Sequence, residues 1–497
     1  MNKERSPWPA LWALVIGFFM ILIDTTIVAI ANPSIQQGLD ATIDEVIWVT
    51  SAYLLAYAVP LLITGRLGDR FGPKLIYQIG LVVFTLSSLM CGLADSLPGD
   101  GITNLIAFRA VQGLGAALMT PQTMAVITRT FPAARRGIAM ALWGAVAGVA
   151  TLVGPLVGGV LVDGPGWEWI FFVNVPIGVI AFIAAQLLVP HLDTHQHSFD
   201  WLGVALSAIG MFLLVFGLQE GHHYDWNVWV WASIFGGIAV LGLFLVWQRF
   251  NTKEPLIPLG LFKDRNFSVA NGAISTVGFA FTSMFIPLVY FFQAVRGLTP
   301  TQTALMTVPT ALATLVLSRT AGKLADRVHP RNLAVPGLGI GALAIVSWAL
   351  MLSPTIPIGW LLIPPALLGI GSAFIWAPLA STATRNLPMS SAGAGSGVYN
   401  TTRQVGGVLG SAAIATVIVN RIAANLGDVG GAPQGESSSL VLPEPLHAAF
   451  TTAMTQTLIV PAAALLIGAI VAVFFVKPTH MDDVPAADIA EPAPASA

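Results

Sequence analysis

Two oppositely charged residues, Asp24 and Arg109, stand inside long apolar stretches of the sequence. Placing a charge at the centre of a membrane-spanning helix costs roughly 2.5–3.5 kcal/mol, and such residues usually take part in proton or ion transfer. The proton affinity of a carboxylate depends on its access to water and on its distance from a nearby cation. We therefore predict that Asp24 and Arg109 couple transport to proton movement, and a purely structural ion pair is the alternative.

The positions of the two charges along their apolar stretches predict that they lie at similar depth. Asp24 is 14 residues past Ala10, the start of the first stretch, which is about 21 Å along a helix. Arg109 is about six residues from the outer end of the fourth stretch, which runs in the opposite direction. Both are thus expected about 9 Å below the same face of a hydrocarbon core about 30 Å thick. Their contact requires spans one and four to be neighbours.

The apolar stretches that carry these charges dominate the chain. Its 497 residues are 55% hydrophobic and 9% charged, whereas a soluble globular protein has about 25% charged residues. Such a chain suits the bilayer, where spanning segments of this kind must be helical because their backbone groups have no water to bond. We predict an all-α membrane protein with fourteen transmembrane helices. Their cores are expected at 10–31, 46–64, 75–94, 103–127, 137–162, 169–189, 201–219, 228–248, 268–292, 302–322, 333–352, 358–382, 403–420 and 452–476.

Composition also argues against several classes of function. The net charge of −2 suggests no nucleic acid partner, and the single cysteine, Cys91, permits neither an intrachain disulfide nor a cysteine metal site. The eight histidines show no metal-ligand spacing within a helix, so no metal is expected. No nucleophile–base pair indicates an enzyme. The first apolar run is too long for a cleavable signal peptide and is predicted to remain as the first span.

The distribution of Lys and Arg predicts that both chain ends lie in the cytoplasm. With the N-terminus inside, 17 of the 22 basic residues fall in cytoplasmic loops and tails, and only two, Arg296 and Arg421, fall outside. The other three, Arg109, Arg319 and Arg403, lie within spans or at their ends. An even number of helices then returns the C-terminus to the cytoplasm.

An internal repeat divides the chain into two halves. Residues 65–74 read GRLGDRFGPK and residues 322–331 read GKLADRVHPR, at an offset of 257. Eight predicted helices rather than six separate the copies, which indicates two six-helix halves with two helices inserted between them. Duplicated halves with a site at their interface are typical of secondary transporters. The predicted regions are 1–190 (N-terminal half), 191–265 (inserted helices and linkers), 266–478 (C-terminal half) and 479–497 (a disordered cytoplasmic tail).

The same offset predicts that the two halves differ in chemistry. It places Phe281 opposite Asp24 and an uncharged residue opposite Arg109. Because neither charge recurs, we expect the proton chemistry to lie in the N-terminal half. The residues predicted to line a substrate cavity are Gln112, Trp143, Phe281 and Trp376.

The repeated segment itself is predicted to be a short cytoplasmic turn that acts as a gate latch. Its glycines allow a tight turn, and Asp69, which is flanked by basic residues, can accept charge-assisted hydrogen bonds. Such a latch would hold the inner gate closed and break on opening; an ordinary cytoplasmic loop is the alternative. The residues assigned to it are Gly65, Asp69, Arg70, Gly72 and Lys74 in the first copy and Asp326 and Arg327 in the second.

A glycine-rich run in span five is predicted to be a hinge or a packing face. It comprises Gly154, Pro155, Gly158 and Gly159. Proline removes a helical hydrogen-bond donor, and glycines let a partner helix approach closely. We therefore expect close helix contact along this run.

Together these segments resemble the major facilitator superfamily, and within it the fourteen-helix drug:proton antiporter branch of bacterial multidrug exporters. Residues 65–74 resemble the cytoplasmic loop motif of the superfamily, and 109–117 resemble its fourth-helix motif, whose arginine is assigned to proton transfer. Residues 154–159 resemble the fifth-helix motif of antiporters, while 22–28 and 167–178 resemble segments of the fourteen-helix branch. The departures from these patterns are Ala150, Glu168 and Asn32-Pro33, and they leave the charged pair in place.

The resemblance implies the major facilitator fold and proton-driven export of hydrophobic or amphipathic small molecules by alternating access, with multidrug efflux as the expected function. It implies a multi-pass protein of the cell membrane that is not an enzyme and needs no cofactor besides the proton gradient. The expected partners are the substrate, protons and membrane lipids, and a periplasmic adaptor is not indicated. A dedicated exporter or flippase for an endogenous metabolite or lipid is the alternative. Since spans other than the first show no clear embedded acid, monocationic, neutral or amphipathic substrates are favoured.

Overall fold

The computed structural model is helical throughout its regular elements, within the residues that it describes. Those residues are 6–131, 133–192, 194, 200–221, 223–251, 255–325, 328–387, 392–426 and 442–477. The α-helices are α1 (Trp8–Gly38), α2 (Ile43–Ala58), α3 (Leu61–Phe71), α4 (Pro73–Gly92), α5 (Gly101–Thr130), α6 (Ala133–Asp163), α7 (Trp169–Phe172), α8 (Asn174–Leu188), α9 (Trp201–Gln219), α10 (Val228–Phe250), α11 (Arg265–Tyr290), α12 (Pro300–Leu305), α13 (Val308–Ala325), α14 (Arg331–Met351), α15 (Ile363–Arg385), α16 (Ala392–Leu426), α17 (His447–Thr457) and α18 (Ile459–Ala472). The tail predicted for 479–497 lies outside the described residues.

Twelve helical segments of the described residues are long and apolar enough to cross a membrane. The pair α2 and α3 adds a thirteenth if it forms one span, although its two helices meet at 51°. Pro60 at this break has no backbone N–H to continue the hydrogen bonding of α2. Several side chains of α6 lie outside the described part of the chain, so the total of fourteen crossings stays a prediction.

The first helix is longer than its apolar pattern predicts, and Asp24 lies near its middle. α1 continues through Pro33 and ends at Gly38. Asp24 therefore lies 16 residues after Trp8 and 14 before Gly38, near the middle of the helix. The sequence predicts an end at residue 31, before the proline, whereas the helix continues to Gly38; the depth of about 9 Å below one membrane face stays a prediction. Membrane helices tolerate proline where neighbouring groups satisfy the freed backbone.

α16 also begins earlier than predicted. The sequence predicts a span at 403–420, whereas the helix runs from Ala392 to Leu426. Its first eleven residues, AGAGSGVYNTT, are small or polar and carry a weak apolar signal. Small residues favour close packing between membrane helices, and α11 packs along α16. Arg403 consequently lies inside a long helix rather than at the end of a span.

The packing of α1–α8 repeats in α11–α18. In the first set, α1 packs on α6 and α8, and α5 packs on α2 and α4. In the second, α11 packs on α16 and α18, and α15 packs on α13 and α14. We call these sets the first half and the second half. The two halves meet where α2 packs on α16 and where α6 packs on α12.

The hairpin of α9 and α10 is peripheral to both halves. Its two helices pack chiefly on each other, and α9 also packs on α16 and α2. Met211 and Val215 of α9 are buried in the same apolar cluster as Tyr53 of α2 and Val408 of α16. Hence α9 lies over the seam between α2 and α16.

The carboxylate of Asp200 fastens this hairpin where α9 begins. It accepts hydrogen bonds from the Gly203 N–H at 2.9 Å, from Trp247 Nε1 at 2.7 Å and from Gln248 Nε2 at 2.7 Å. Burial alone would raise the pKa of Asp200, but these hydrogen bonds hold that pKa below its ordinary value. Asp200 thus caps α9 and ties it to α10 in its ionised form.

Hydrogen bonds join the two halves near one end of the bundle. We call the end where α1 begins the terminal end and the opposite one the distal end. Toward the distal end, side chains and backbone groups of the first half bond directly to the second half. The bonds are Gln293 Nε2 to the Ile30 carbonyl at 3.1 Å, the Thr301 N–H to Asp163 Oδ2 at 2.9 Å, and Ser51 Oγ with Ser411 Oγ at 2.7 Å. The two halves are therefore in direct contact toward the distal end.

Candidate functional site

The structure brings Asp24 of α1 and Arg109 of α5 into direct contact. Arg109 Nη1 lies 2.6 Å from Asp24 Oδ2, and the two side chains are 1% and 0% exposed. The two helices are antiparallel neighbours, which is the arrangement that the predicted contact requires. The pair is enclosed entirely by the first half.

Two amides complete the hydrogen bonding of the carboxylate. Gln112 Nε2 donates to Asp24 Oδ1 at 2.9 Å, and Asn174 Nδ2 donates to the same oxygen at 3.1 Å. Gln112 Oε1 also accepts from Arg109 Nη1 at 2.7 Å. An ionised carboxylate is an acceptor only, so this set of donors fits the ionised form of Asp24. We call Asp24, Arg109, Gln112 and Asn174 the charged cluster.

Helix α2 contacts the guanidinium of Arg109. Arg109 Nε donates to the Val49 carbonyl at 3.2 Å, and its guanidinium lies 4.1 Å from the ring centroid of Tyr53. Guanidinium groups are attracted to the faces of aromatic rings. Gly113 of α5 lies against the Tyr53 carbonyl, where any side chain would collide with backbone. The absence of a Cβ at this position thus lets α5 approach α2 closely enough for the contact.

The charged cluster links four helices of the first half. Asp24 connects α1 with α5 and α8, and Asn174 extends the network to α4. Asp24 belongs to α1, Arg109 and Gln112 belong to α5, and Asn174 begins α8. Asn174 Nδ2 also donates to Ser88 Oγ of α4 at 3.1 Å. A proton added to Asp24 would remove its negative charge and turn one acceptor oxygen into a donor. Every bond in the cluster would respond to that change.

The cluster corrects one prediction and adds residues that the sequence did not single out. Gln112 was predicted to line a cavity, but its side chain is fully buried between Asp24 and Arg109. Asn174 and Tyr53 were not predicted as site residues. A polar residue within an apolar run was an available signal for Asn174, whereas Tyr53 carries no such signal.

The segment 65–74 is helical where the sequence predicts a turn. Gly65, Asp69 and Arg70 lie on α3, which continues to Phe71. Gly72 alone reverses the chain, with φ at +96°, a region that favours glycine. Pro73 then starts α4 in the first-turn position where proline fits.

Asp69 pairs with a basic residue of another helix. Arg129 Nη1 of α5 lies 3.9 Å from Asp69 Oδ1, and the side chains are 24% and 39% exposed. Lys74 instead donates from Nζ to the Gln186 carbonyl of α8 at 2.7 Å. These contacts fasten α3, α4, α5 and α8 together at the terminal end. The second copy of the motif, Asp326 and Arg327, lies outside the described residues.

The glycine run of α6 is a packing face. Gly154 lies against Thr26 and Gly158 against Ile27, both on α1 next to Asp24. The helix continues through Pro155 to Asp163. Gly159 faces the backbone of 300–301 in α12, so the run contacts both α1 and the second half.

The remaining predicted cavity residues lie in the second half, except Trp143. Phe281 of α11 and Trp376 of α15 are half-buried and meet edge to face, with ring centroids 5.6 Å apart. The guanidinium of Arg403 lies 6.0 Å from the ring centroid of Trp376. Trp143 is on α6, and its side chain is outside the part of the chain that the structure describes.

Comparison with known proteins identifies the relatives of this chain. A family model described as Major Facilitator Superfamily matches residues 14–411. An uncharacterised transporter of this type from Mycobacterium tuberculosis is 53% identical over 95% of this chain and 81% of its own length. The tetracenomycin C resistance and export protein of Streptomyces glaucescens is 30% identical over 94% of this chain and 91% of its own. The multidrug resistance protein Stp of M. tuberculosis is 33% identical over 85% and 78%, respectively.

Solved structures share the fold at low sequence identity. A bacterial homologue of the human lysosomal transporter Spinster, in an inward-facing and occupied conformation, matches with a TM-score of 0.63. The match has 17% sequence identity and covers 93% of this chain and 95% of that one. At this sequence identity the comparison shows a shared fold alone.

Proposed function

This chain belongs to the Major Facilitator Superfamily, as its motifs predict, and we propose that it is a proton-coupled antiporter that exports hydrophobic or amphipathic small molecules by alternating access. It is a multi-pass membrane protein with relatives named for multidrug resistance and antibiotic export. The observation that carries the proposal is the charged cluster, which buries an acid completely, bonds it to α5 and α8, and reaches α4 through Asn174. The proton gradient is the proposed driving force, with no further cofactor.

In this proposal the terminal end faces the cytoplasm. The excess of Lys and Arg in the loops at that end supports the orientation. The direct contacts between the halves at the distal end then correspond to a closed outer side. A substrate would enter from the cytoplasmic side and leave after the halves rock about their interface.

The proposed coupling step is a proton transfer to Asp24. The incoming proton binds a carboxylate oxygen, which weakens the attraction to Arg109 and turns that oxygen into a donor that the facing nitrogens of the cluster cannot accept. Arg109 retains its bond to the Val49 carbonyl and its contact with Tyr53. Because α1 also packs on the glycines of α6, a shift of α1 reaches the second half through Gly159 and α12. The Asp69–Arg129 pair is the proposed latch at the cytoplasmic end.

Transport in proteoliposomes with an imposed pH gradient tests the proposal. The wild type should accumulate a cationic or neutral dye against its concentration gradient, and Asp24→Asn should abolish that accumulation. Asp40→Asn is the matched control: it removes the same charge at an exposed position with φ of +48°, where asparagine is well tolerated. Full gradient-driven accumulation by Asp24→Asn would refute proton coupling through this residue.

A dedicated exporter or flippase for one endogenous metabolite or lipid is the second candidate. The relative named for tetracenomycin C resistance and export supports it. The same charged cluster would serve this function. Efflux of several unrelated dyes would favour the multidrug proposal, whereas transport confined to one compound or to labelled lipids would favour the second.

A further inference from the structure

Arg403 is a cation within the long helix α16, which packs on α11 of the second half and on α2 of the first half. It lies 11 residues after the start of α16, about 16 Å along the helix. Its side chain is partly exposed rather than enclosed by packing. A charge at this depth is energetically costly and usually functional, yet the charged cluster does not use Arg403.

No acidic partner of Arg403 occurs in the described part of the chain. Among the described residues its guanidinium makes neither a hydrogen bond nor an ion pair, and it lies beside the ring of Trp376 at 6.0 Å. The sequences of α11 to α18 contain no Asp or Glu. Asp24 is already paired with Arg109. An anionic ligand would supply the counter-charge that no side chain of the described residues provides.

The groups around Arg403 suit a ligand with an aromatic ring. Trp376 and Phe281 form an edge-to-face pair beside it, and both rings are half-buried. Tyr399 lies one turn earlier on the same face of α16, and its hydroxyl has no hydrogen-bond partner among the described residues. Helix α2 of the first half, which carries Tyr57, packs on α16. The guanidinium thus stands between two halves, with aromatic side chains on both.

We infer that Arg403, Trp376 and Phe281 form a recognition site for amphipathic aromatic anions. The carboxylate or sulfonate of the substrate would bind the guanidinium, which presents its donors in a planar fork suited to such groups. The aromatic part would lie against Trp376 and Phe281. This inference rests on the proposed export function and narrows the monocationic, neutral or amphipathic substrates that the sequence favours to amphipathic aromatic anions.

Equilibrium binding of two related dyes to the full-length protein in lipid nanodiscs tests the site. Fluorescein is an anion, rhodamine 123 is a cation, and both carry a xanthene ring. Arg403→Gln should weaken fluorescein binding at least about tenfold, since a hydrogen bond to a charged group is lost, and leave rhodamine 123 binding unchanged. Arg403→Lys should lose less, because it keeps the charge without the planar fork. Arg421→Gln, at an exposed position on the same helix, should bind both dyes as the wild type does.

Three results would overturn the inference: wild type that fails to bind fluorescein, an equal loss of both dyes in Arg403→Gln, or no loss of fluorescein in that variant. A salt titration of the wild type provides a measurement that does not depend on the variant folding. Fluorescein affinity should fall with ionic strength, and a salt-independent affinity would also contradict the site.

The experiment separates this inference from the proposed function because binding is measured without a pH gradient. If the wild type binds fluorescein through Arg403 but does not pump, the anion site stands and proton-driven export fails. If it pumps rhodamine 123 against a gradient but does not bind fluorescein, export stands and the anion site is refuted.

Discussion

The first and second halves share a packing arrangement and differ in the chemistry that they place at corresponding positions. The repeat offset aligns Asp24 of α1 with Phe281 of α11. In the first half the acid is fully buried, and each oxygen of its carboxylate accepts a hydrogen bond. In the second half the corresponding region contains aromatic rings and Arg403, which has no acidic partner among the described residues.

This difference shows that the duplicated fold constrains which helices pack together more than it constrains what their inner faces carry. A closed network of bonds around one carboxylate suits a switch between two states, because one proton changes all of its bonds. A partly exposed cation beside aromatic rings suits molecules of varied shape. The two halves can therefore divide the coupling and recognition tasks that we propose, and four substitutions test that division.

The largest expected effect comes from removing the cation of the charged cluster. Arg109→Met leaves the Asp24 carboxylate buried without its partner, and breaking a buried pair in this way costs about 3–5 kcal/mol of stability. The measurement is thermal or denaturant unfolding of the purified protein. The double variant Asp24→Asn with Arg109→Met should recover much of that stability while remaining unable to pump. Unchanged stability of the single variant would contradict an ionised pair.

A smaller loss is expected when one neutral donor of the cluster is removed. Gln112→Leu deletes the hydrogen bond to Asp24 Oδ1 and the acceptor of Arg109 Nη1. Because these bonds involve charged groups, we expect a loss of about 1.5–3 kcal/mol in the same unfolding assay. Gln78→Leu is the matched control, since Gln78 bonds Gln186 at an exposed position. If the two substitutions lowered the free energy of unfolding equally, burial of the cluster would contribute nothing to the stability of the protein.

A substitution in the second half should change binding without changing coupling. Phe281→Leu removes the edge-to-face contact with Trp376, which is worth about 0.5–1.5 kcal/mol. We expect affinity for aromatic substrates to fall by about two- to tenfold, while the remaining transport stays driven by the pH gradient. Phe212→Leu on the exposed face of α9 should have no effect. Loss of gradient dependence in Phe281→Leu would break the proposed division between the halves.

The smallest effect is expected outside both halves, at Asp200. Asp200→Asn keeps a good N-cap for α9 but replaces the acceptor of Gln248 Nε2 with an amide donor, so the loss at neutral pH should be about 0.5–1 kcal/mol. The pKa of Asp200 is held below its ordinary value. Its stabilising contribution is therefore complete above the unfolded-state pKa, about 3.9, and is lost as the pH falls through the lower folded-state pKa. Stability measured against pH should show this acid-side loss in the wild type and not in the variant, with transport at neutral pH unchanged in both.

The sequence predicted the features that depend on periodicity and charge. The helical class, the family and the opposition of Asp24 to Phe281 follow from apolar stretches, motifs and one constant offset. The depth calculation also suggested that Asp24 and Arg109 could meet, and the two side chains are in contact.

Features that depend on tertiary packing were missed. Tyr53 contacts Arg109 only because Gly113 brings α5 close to α2, and no local pattern encodes that meeting. The early start of α16 was missed because its first residues are mostly small and give little hydrophobic signal. These residues stabilise the helix by packing against α11 rather than by hydrophobicity. The segment before Gly72 was predicted as a turn because its charges obscured the continuing helix α3.

The position of α9 makes the two lateral sides of the transporter, as seen along the membrane plane, different from each other. One seam between the halves, α2 against α16, is overlaid by this helix, and in the described residues the insertion does not pack comparably on the other seam, α6 against α12. The interface between the halves can thus be approached from the lipid at two seams, and only one of them is covered by the hairpin. In the proposed export function, the hairpin would cover the first approach and leave the seam of α6 and α12 as the more direct one for substrates that partition into the bilayer.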